Sequence, residues 1–316
     1  MLMKKQAATH WEEWTTAVGD GWNQFWFAPA SARPLSLVRI MTGLLTIVYF
    51  LSFTSDLKRW LGPDSLLPPA TVLRLTGGPE TQSFHYSLLS LVSKPNELWL
   101  FHGIGLLAAA CLAVGLFSRI AAGVTLVIFL SYVHRAPMIS GLAEPVLAPL
   151  LFYLCFAPSG HWFGVNAWLK GRKTDEQPQS TVLANLCLRM IQVHLAMLVL
   201  MMGMSKLAQQ PWWVGDAVWY LLAQTRSRPV NLTFLREFPY LINAWTHAIV
   251  FFEFAFPILI WNRFARPVLL IAGVLVWLSI ALASGHLIFA LTMIAASLAF
   301  WPSENPEPQS LAASVA

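Results

Sequence analysis

The sequence predicts an all-α fold, a polytopic transmembrane helical bundle of about eight spans plus an N-terminal interfacial helix. Of the 316 residues, 57% are hydrophobic and only 11% are charged, whereas about a quarter of the residues in a soluble domain are charged. Charged residues are scarce along most of the chain, so most of the helices need lipid as their solvent. The 15 tryptophans agree with this, because tryptophan concentrates at membrane–water interfaces.

Residues 1–29 are predicted to form the interfacial helix. Lys4 and Lys5 are not followed by an apolar stretch, so the segment does not have the pattern of a cleaved signal peptide. Residues 11–27 are aromatic but only partly apolar, a composition typical of a helix that lies in the membrane surface. Pro29 is expected to end that helix.

Residues 30–302 are predicted to form the transmembrane domain, and residues 303–316 a disordered tail. The predicted spans are residues 35–53, 98–116, 120–133, 145–156, 182–204, 241–260, 268–283 and 287–301. The fourth span has about a dozen residues, fewer than the roughly 20 that an upright crossing requires. It is therefore expected to be tilted, broken or re-entrant.

The distribution of Lys and Arg in short loops predicts the orientation, because these residues are enriched on the cytoplasmic side. The basic residues close to span ends on one side are Lys4, Lys5, Arg33, Arg119, Lys170, Arg172, Lys173, Arg263 and Arg266. Both termini are therefore expected in the cytoplasm, with the protein in a bacterial inner membrane. The long segments 54–95 and 207–240 then face outward.

Several classes of site do not fit the sequence. The formal net charge of +5 is not gathered into a basic segment interleaved with aromatic residues, so no nucleic-acid partner is expected. Histidines and carboxylates lack the spacing of metal ligands, so no metal site is predicted. Cys111, Cys155 and Cys187 lie in apolar runs and are expected to be small buried side chains.

Ionisable residues near the outer ends of the spans are the candidate functional residues, because burying such groups in a membrane is costly. The predicted orientation places seven side chains at about one level: Lys206, His134, Arg135, Glu144, His102, His247 and His286. We expect them to surround a polar pocket near the outer leaflet. Trp212 and Trp213 follow Lys206 closely and are candidates for binding a substrate there.

Lys206 is the candidate of greatest interest. Gly203 lies one turn before it and leaves room beside the lysine stem, and Gln192 falls near the same helical face. Apolar surroundings disfavour the charged form of an amine, and a neutral amine can act as a general base near neutral pH. The alternative is a lysine that extends from the helix end to the lipid headgroups.

Three further polar residues lie inside the predicted spans. Glu253 must either pair with a cation, such as a nearby Arg or His, or handle a proton. Arg39, near the inner end of the first span, is expected to be structural or to contact lipid headgroups. His194 is expected to form a hydrogen bond between helices.

Four motifs, in a fixed order over about residues 30–300, carry a resemblance to a known family. They are Arg39 with Gly43, residues 134–168 including Glu144, residues 203–222 including GMSKL, and Glu253 with Pro257 followed by His286. Together they resemble the HTTM domain. This domain is the membrane part of vitamin K-dependent γ-carboxylase and of many shorter bacterial proteins.

The resemblance implies a role for Lys206. In the carboxylases, the matching lysine is the proposed base that deprotonates vitamin K hydroquinone. Oxygen then converts the quinol to a strongly basic alkoxide, which takes a γ-proton from a glutamate before carbon dioxide adds. By this resemblance the candidate catalytic residues are Lys206, His286 and Glu144, with a quinone or vitamin K-type quinol as cofactor. The candidate substrate-binding residues are His134, Arg135, Trp212, Trp213 and Glu253.

The chain departs from the carboxylases in two respects. They carry a long lumenal C-terminal region that helps to bind the protein substrate, whereas this sequence ends about fifteen residues after the eighth predicted span. The family often has an Asn-Gly-Gly or Asn-His pattern where this sequence has SGLA at residues 140–143. Protein γ-carboxylation by this chain alone is therefore not expected.

Three functions remain open from the sequence. The first is an HTTM-type enzyme that acts on a lipophilic quinol or lipid-like substrate with Lys206 as base. The second is a non-catalytic membrane component for the maturation or export of a secreted peptide, a role known among the short members of the family. The third is a small-solute or proton transporter that uses Glu253 and the histidines. Membrane lipids are partners in each case.

Overall fold

The computed structural model describes the backbone of residues 2–12 and whole residues in 13–63, 65–68, 71–72, 87–160, 162–165, 180–224 and 229–302. Within these ranges the secondary structure is helical, apart from an isolated β-bridge between Ala30 and Thr181. The all-α prediction is therefore confirmed. The predicted tail, residues 303–316, lies outside the described residues.

The α-helices fall into three groups along the chain. The first contains α1 (Leu2–Phe27), α2 (Arg33–Phe53) and α3 (Leu57–Leu61). The second contains α4 (Pro95–Val114), α5 (Ser118–Arg135) and α6 (Glu144–Phe156). The third contains α7 (Val182–Leu207), α8 (Gln210–Val214), α9 (Ala217–Ala223), α10 (Pro239–Leu259), α11 (Ala265–Ser284) and α12 (Leu287–Ser297).

Five helical segments are long and apolar enough to cross a membrane: Arg33–Leu61, Pro95–Val114, Val182–Leu207, Pro239–Leu259 and Ala265–Ser284. The other three predicted spans are helical but do not meet this standard. Helix α5 has 18 residues and polar ends, α6 has 13 residues, and α12 has 11. The structure therefore supports an integral membrane protein with five such segments, and the full set of eight crossings stays a prediction.

Local sequence chemistry sets several helix ends. Pro95 lies in the first turn of α4, and the Glu97 carboxylate accepts hydrogen bonds from the backbone N–H groups of Ser93 and Lys94. Proline suits a first turn because its missing N–H has no helical partner there. Helices α4 and α11 both end at a glycine with a left-handed backbone, Gly115 (φ 80°) and Gly285 (φ 79°), a conformation that glycine adopts without strain.

Helix α12 is short because it lies inside the protein. It packs against α2, α6, α7 and α11, and most of its side chains are buried. The chain then continues as a 3-10 turn, Leu298–Phe300. An apolar helix of this length can be accommodated among longer helices, because protein side chains surround most of it. The predicted eighth span is helical over Leu287–Ser297 and continues as a tighter turn, and its crossing of the membrane stays a prediction.

Helix α1 is attached to α7 through its last residues. The Asn185 side-chain amide donates hydrogen bonds to the carbonyls of Phe25 (2.9 Å) and Trp26 (3.0 Å). Trp14 and Trp22 of α1 are exposed, and they lie on the face that a helix in the membrane surface would turn toward lipid. The interfacial position of α1 remains a prediction.

Two groups of buried residues organise the bundle. The larger group includes residues from α2, α4–α7 and α10–α12. The smaller contains Val218, Leu222, Leu235, Ile242, Ile249 and Ala283. Since Val218 and Leu222 belong to α9, this second group holds the short helices α8 and α9 against α10 and α11, beside the end of α7.

The close approach of α2 and α4 is predicted to depend on Gly43. A Cβ atom at Gly43 would lie 2.7 Å from both the Cα and the N of Ala113 in α4. We expect Gly43→Ala to lower the free energy of unfolding by about 1–3 kcal/mol through overpacking. The measurement is the thermal unfolding midpoint in detergent. Gly103→Ala is the matched control, because a Cβ atom there meets nothing within 4 Å; equal midpoints for the two variants would contradict this account.

Candidate functional site

Lys206 and Glu253 form a buried ion pair between α7 and α10. The Nζ of Lys206 lies 2.6 Å from the Oε1 of Glu253. The Glu253 side chain is 0% exposed and that of Lys206 is 11% exposed. Of the two alternatives that the sequence left open for Glu253, the structure has the pairing with a cation. The cation is Lys206, and not the Arg or His that the sequence led us to expect.

Gly203 allows the two helices to approach at this pair. A Cβ atom on Gly203 would lie 3.3 Å from the Cβ of Glu253 and 3.2 Å from a ring carbon of Phe254. These distances are tighter than ordinary side-chain contacts, so a larger residue would require the neighbouring side chains to move. The space beside Lys206 that the sequence predicted is therefore real, and α10 fills it.

The two tryptophans of α8 have different roles. The ring of Trp212 is 4.9 Å from the Lys206 ammonium, within the range of a cation–π contact. Trp213 is exposed, and its indole N–H donates to the Leu207 carbonyl at the end of α7. Trp212 thus covers the ion pair from the side of α8, whereas Trp213 satisfies a free carbonyl of the helix end.

The end of α8 is held in place by Asn243 of α10. The Asn243 amide donates to the Val214 carbonyl over 2.7 Å. Gly215, the next residue, has a left-handed backbone with φ 91°, and a Cβ atom there would overlap the Asn243 side chain. This contact fixes the helix that carries Trp212.

The second oxygen of Glu253 has no hydrogen-bond partner among the described residues, although it is buried. Buried polar atoms are nearly always paired, so an unpaired one calls for a physical reason. A proton moving across the 2.6 Å contact would convert the ion pair into a neutral amine and a carboxylic acid. The pair can therefore hold or release a proton, and the second oxygen is a buried acceptor without a donor among the described residues.

Glu144 and His286 have other partners. The Oε2 of Glu144 accepts a hydrogen bond from the Gly141 N–H at 2.9 Å, and the carboxylate also interacts with the Tyr49 hydroxyl. His286 is exposed, and its Nδ1 lies 2.9 Å from the Ser284 Oγ. Among the described residues, no hydrogen bond or ion pair joins Lys206, Glu144 and His286. Their joint catalytic role stays a prediction.

Arg135 is engaged by its own chain. Its guanidinium donates to the Leu67 carbonyl (2.7 Å), the Gly62 carbonyl (3.0 Å) and the Ser65 Oγ (2.7 Å). It is buried and fixes the segment that follows α3. His134 is partly buried and also interacts with other residues of the chain. Substrate binding by either residue remains a prediction.

Other polar side chains in the spans form contacts between helices. His102 is hydrogen-bonded to the Tyr132 hydroxyl through Nδ1 (2.8 Å) and to the Thr54 Oγ1 through Nε2 (3.0 Å). His194 is hydrogen-bonded to the Tyr153 hydroxyl over 3.1 Å, so its predicted role between helices is confirmed. His102, which the sequence placed in the outer polar ring, joins α4 to α5 and to the 3-10 turn Thr54–Asp56 that follows α2.

Gln192 does not belong to the site. It shares a helical face with Lys206 but lies 14 residues away, or about 21 Å along an α-helix. Its amide donates to the Ala299 carbonyl, and its oxygen accepts from Arg189. The period of about 3.6 residues correctly placed Gln192 and Lys206 on one face of α7, but it does not indicate how far apart they lie along the helix.

Searches for related proteins found no matching family model, no matching curated protein and no matching solved structure. The resemblance to the HTTM domain therefore depends on the four sequence motifs alone.

Breaking the Lys206–Glu253 pair is predicted to destabilise the fold. Lys206→Met or Glu253→Leu alone should lower the free energy of unfolding by about 3–5 kcal/mol, because one buried polar partner is left without the other. The double variant Lys206→Met with Glu253→Leu should recover most of this loss. The measurement is the thermal unfolding midpoint of each of the three variants in detergent.

The control for this cycle is the exposed pair of Arg59 and Asp56, whose charged atoms are 3.8 Å apart. Asp56→Asn should change the midpoint little, because solvent screens exposed ion pairs. Additive losses in the double variant of Lys206 and Glu253 would show that the two residues do not interact energetically.

Proposed function

We propose that this chain is an HTTM-type integral membrane protein that crosses the membrane about eight times and uses the Lys206–Glu253 pair as a proton-accepting centre. Its substrate would be a lipophilic quinol or a lipid-like molecule with an acidic hydroxyl, entering from the outer leaflet. The observation that carries this proposal is the buried pair itself, with its short contact and the unpaired oxygen of Glu253. The HTTM-like motif around Lys206 supports the same residue as the base.

The pair supplies a way to make the lysine basic. When the proton of the ammonium moves to Glu253, Lys206 becomes a neutral amine. The amine then takes the hydroxyl proton of the substrate: the O–H bond breaks, an N–H bond forms, and the negative charge stays on the substrate oxygen. The new ammonium lies beside that oxygen and against the ring of Trp212, and both contacts stabilise the positive charge.

Three groups around the pair support a quinol as the substrate. Trp212 offers an aromatic face, Lys206 a donor or acceptor nitrogen, and the buried Glu253 Oε2 an unpaired acceptor, which a hydroxyl would reach once α7 and α10 move apart. When bound, the quinol supplies the electrons for reaction with oxygen. The chain itself positions the hydroxyl, removes its proton and keeps water away from the amine.

The test is oxygen-dependent turnover of a reduced naphthoquinol by the full chain in lipid nanodiscs, followed by mass spectrometry of the quinone and epoxide products. Lys206→Met should reduce the rate by about 10²–10⁴-fold, the usual contribution of a general base. Glu253→Gln should also lower it strongly. Lys58→Met is the control, because Lys58 is an exposed lysine of α3. If a folded Lys206→Met protein turns over the quinol at the wild-type rate, this proposal is wrong.

A second candidate function, a non-catalytic component that holds a secreted peptide, is favoured by an exposed aromatic surface. Phe234, Phe238 and Tyr240 are 59%, 54% and 91% exposed. Phe234 and Phe238 lie between α9 and α10, and Tyr240 lies in the first turn of α10; all three belong to the long segment that the predicted orientation places outside. Exposed aromatic residues close together are typical of a surface that binds a partner.

This candidate is tested separately from catalysis. Crosslinking in native membranes should capture the same secreted peptide with the wild type and with Lys206→Met, whereas Phe234→Ser with Tyr240→Ser should lose it. Quantitative mass spectrometry of the captured peptides gives the measurement. A peptide that is lost with Lys206→Met and kept by the aromatic variant would assign binding to the ion pair instead.

A further inference from the structure

Arg39 is a buried cation at the inner end of the bundle, away from Lys206 in the predicted topology. It lies in α2 and is fully buried. Its guanidinium donates to the Leu112 carbonyl (3.1 Å) and the Phe163 carbonyl (2.9 Å), with a longer contact to the Trp162 carbonyl (3.5 Å). All of these acceptors are neutral. Among the described residues, no carboxylate forms an ion pair with Arg39.

The charge around Arg39 is incompletely balanced. Leu112 lies in the last turn of α4, whose dipole offers about half a negative charge. Helix α5 begins at Ser118, close to the end of α4. The dipole at the N-terminus of α5 contributes about half a positive charge, which offsets the negative end of α4. Arg33 lies over the Trp162 ring at 5.7 Å, and the Arg119 Nε donates to the Ala157 carbonyl at 3.4 Å. Among the described residues of this region, cations therefore outnumber carboxylates.

Four hydrogen-bond donors in the same region have no partner among the described residues. They are the Nε of Arg39, the Oγ of Ser118, the Oγ of Ser159 and the Nε1 of Trp162, and all four atoms are buried. Ser118 and Ser159 are at least nine-tenths buried as whole residues. Each of these atoms can donate, whereas an unpaired donor in an apolar region is costly. Their common requirement is an acceptor.

Glycines bring these donors together. A Cβ atom on Gly115 would overlap the Arg39 guanidinium, and one on Gly160 would lie 2.8 Å from the Ser118 Oγ. Ser159 is held next to α2, because the Ser36 hydroxyl donates to its carbonyl at 2.7 Å. The ends of α2, α4 and α5 and the segment after α6 thus meet at one place.

We propose that these groups form a binding site for a phosphate group. Its source is either the headgroup of an anionic lipid in the adjoining leaflet or free inorganic phosphate. Phosphate offers several acceptor oxygens to several donors at once, and it matches an arginine and a helix N-terminus in charge. Arg33 and Arg119 are exposed and would form the entrance, with Arg39, Ser118 and Ser159 behind them. This site does not depend on the proton chemistry at Lys206.

Buried water is the competing occupant. Water would satisfy the serine hydroxyls but would leave the positive charge in place. A site that binds phosphate should therefore respond both to variants that remove hydroxyl groups and to variants that remove positive charge. A site that holds only water should respond little to the loss of charge.

The experiment is native mass spectrometry of the full chain, titrated with phosphatidylglycerol and with a galactolipid that lacks phosphate. The wild type should bind phosphatidylglycerol in preference to the galactolipid. Ser118→Ala with Ser159→Ala should weaken this binding by about tenfold, because it removes two hydrogen bonds to a charged group. The backbone contacts of Arg39 remain in that variant, and its thermal midpoint verifies the fold. Arg33→Gln with Arg119→Gln should weaken binding to a similar degree.

Arg263→Gln is the matched control. Arg263 is also exposed, lies on the same side in the predicted orientation and contacts Phe264. Its substitution should leave binding unchanged. The proposal is overturned if Arg263→Gln weakens binding as much as the pair at the entrance, or if the double serine variant binds like the wild type. Displacement of the lipid by millimolar inorganic phosphate would assign the site to soluble phosphate, and its retention would assign it to the lipid.

Discussion

The contact between Lys206 and Glu253 is the interaction on which the packing of α7, α8 and α10 depends. Either charge alone inside the bundle would carry a large desolvation cost, so each residue requires the other. This requirement fixes α10 against α7 at the level of Gly203, where a Cβ atom would contact Glu253 and Phe254 closely. It also determines where α8 can lie, because Trp212 contacts the lysine. The stability of the fold and the chemistry of the candidate site therefore share one pair of atoms.

Most of the helices could be predicted from the sequence, because apolar length and end signals are local properties. Helix α4 begins at Pro95 and ends before Gly115, as those residues indicate. Helix α12 was different, because hydropathy measures how apolar a segment is and not what surrounds it. Its Thr292 and Ser297 hydroxyls both donate to backbone carbonyls one turn earlier, so the segment behaves as apolar whether protein or lipid encloses it.

The candidate site was only half predictable for a related reason. Lys206 and Glu253 were each identified by the cost of placing charge in a membrane. Their pairing joins positions 47 residues apart, and no local pattern encodes such a contact. The predicted topology placed Glu144 and His286 at the same depth in the membrane as Lys206. A shared depth does not determine the direction in which each side chain points. The buried donors around Arg39 were likewise invisible, because serine and tryptophan residues in loops carry no sequence signal until the fold brings them together.

The central position of α12 has a consequence for the order of assembly. Helices α2, α6, α7 and α11 all precede α12 in the chain, yet all four pack against it. Helices can insert into a membrane one by one before they associate, so the earlier ones must wait for α12 to fill the space between them. Until then the bundle would contain a cleft lined by small and apolar side chains. Completion of this packing therefore cannot precede the synthesis of α12, and the chain made up to that point is the form that most needs protection from wrong helix contacts.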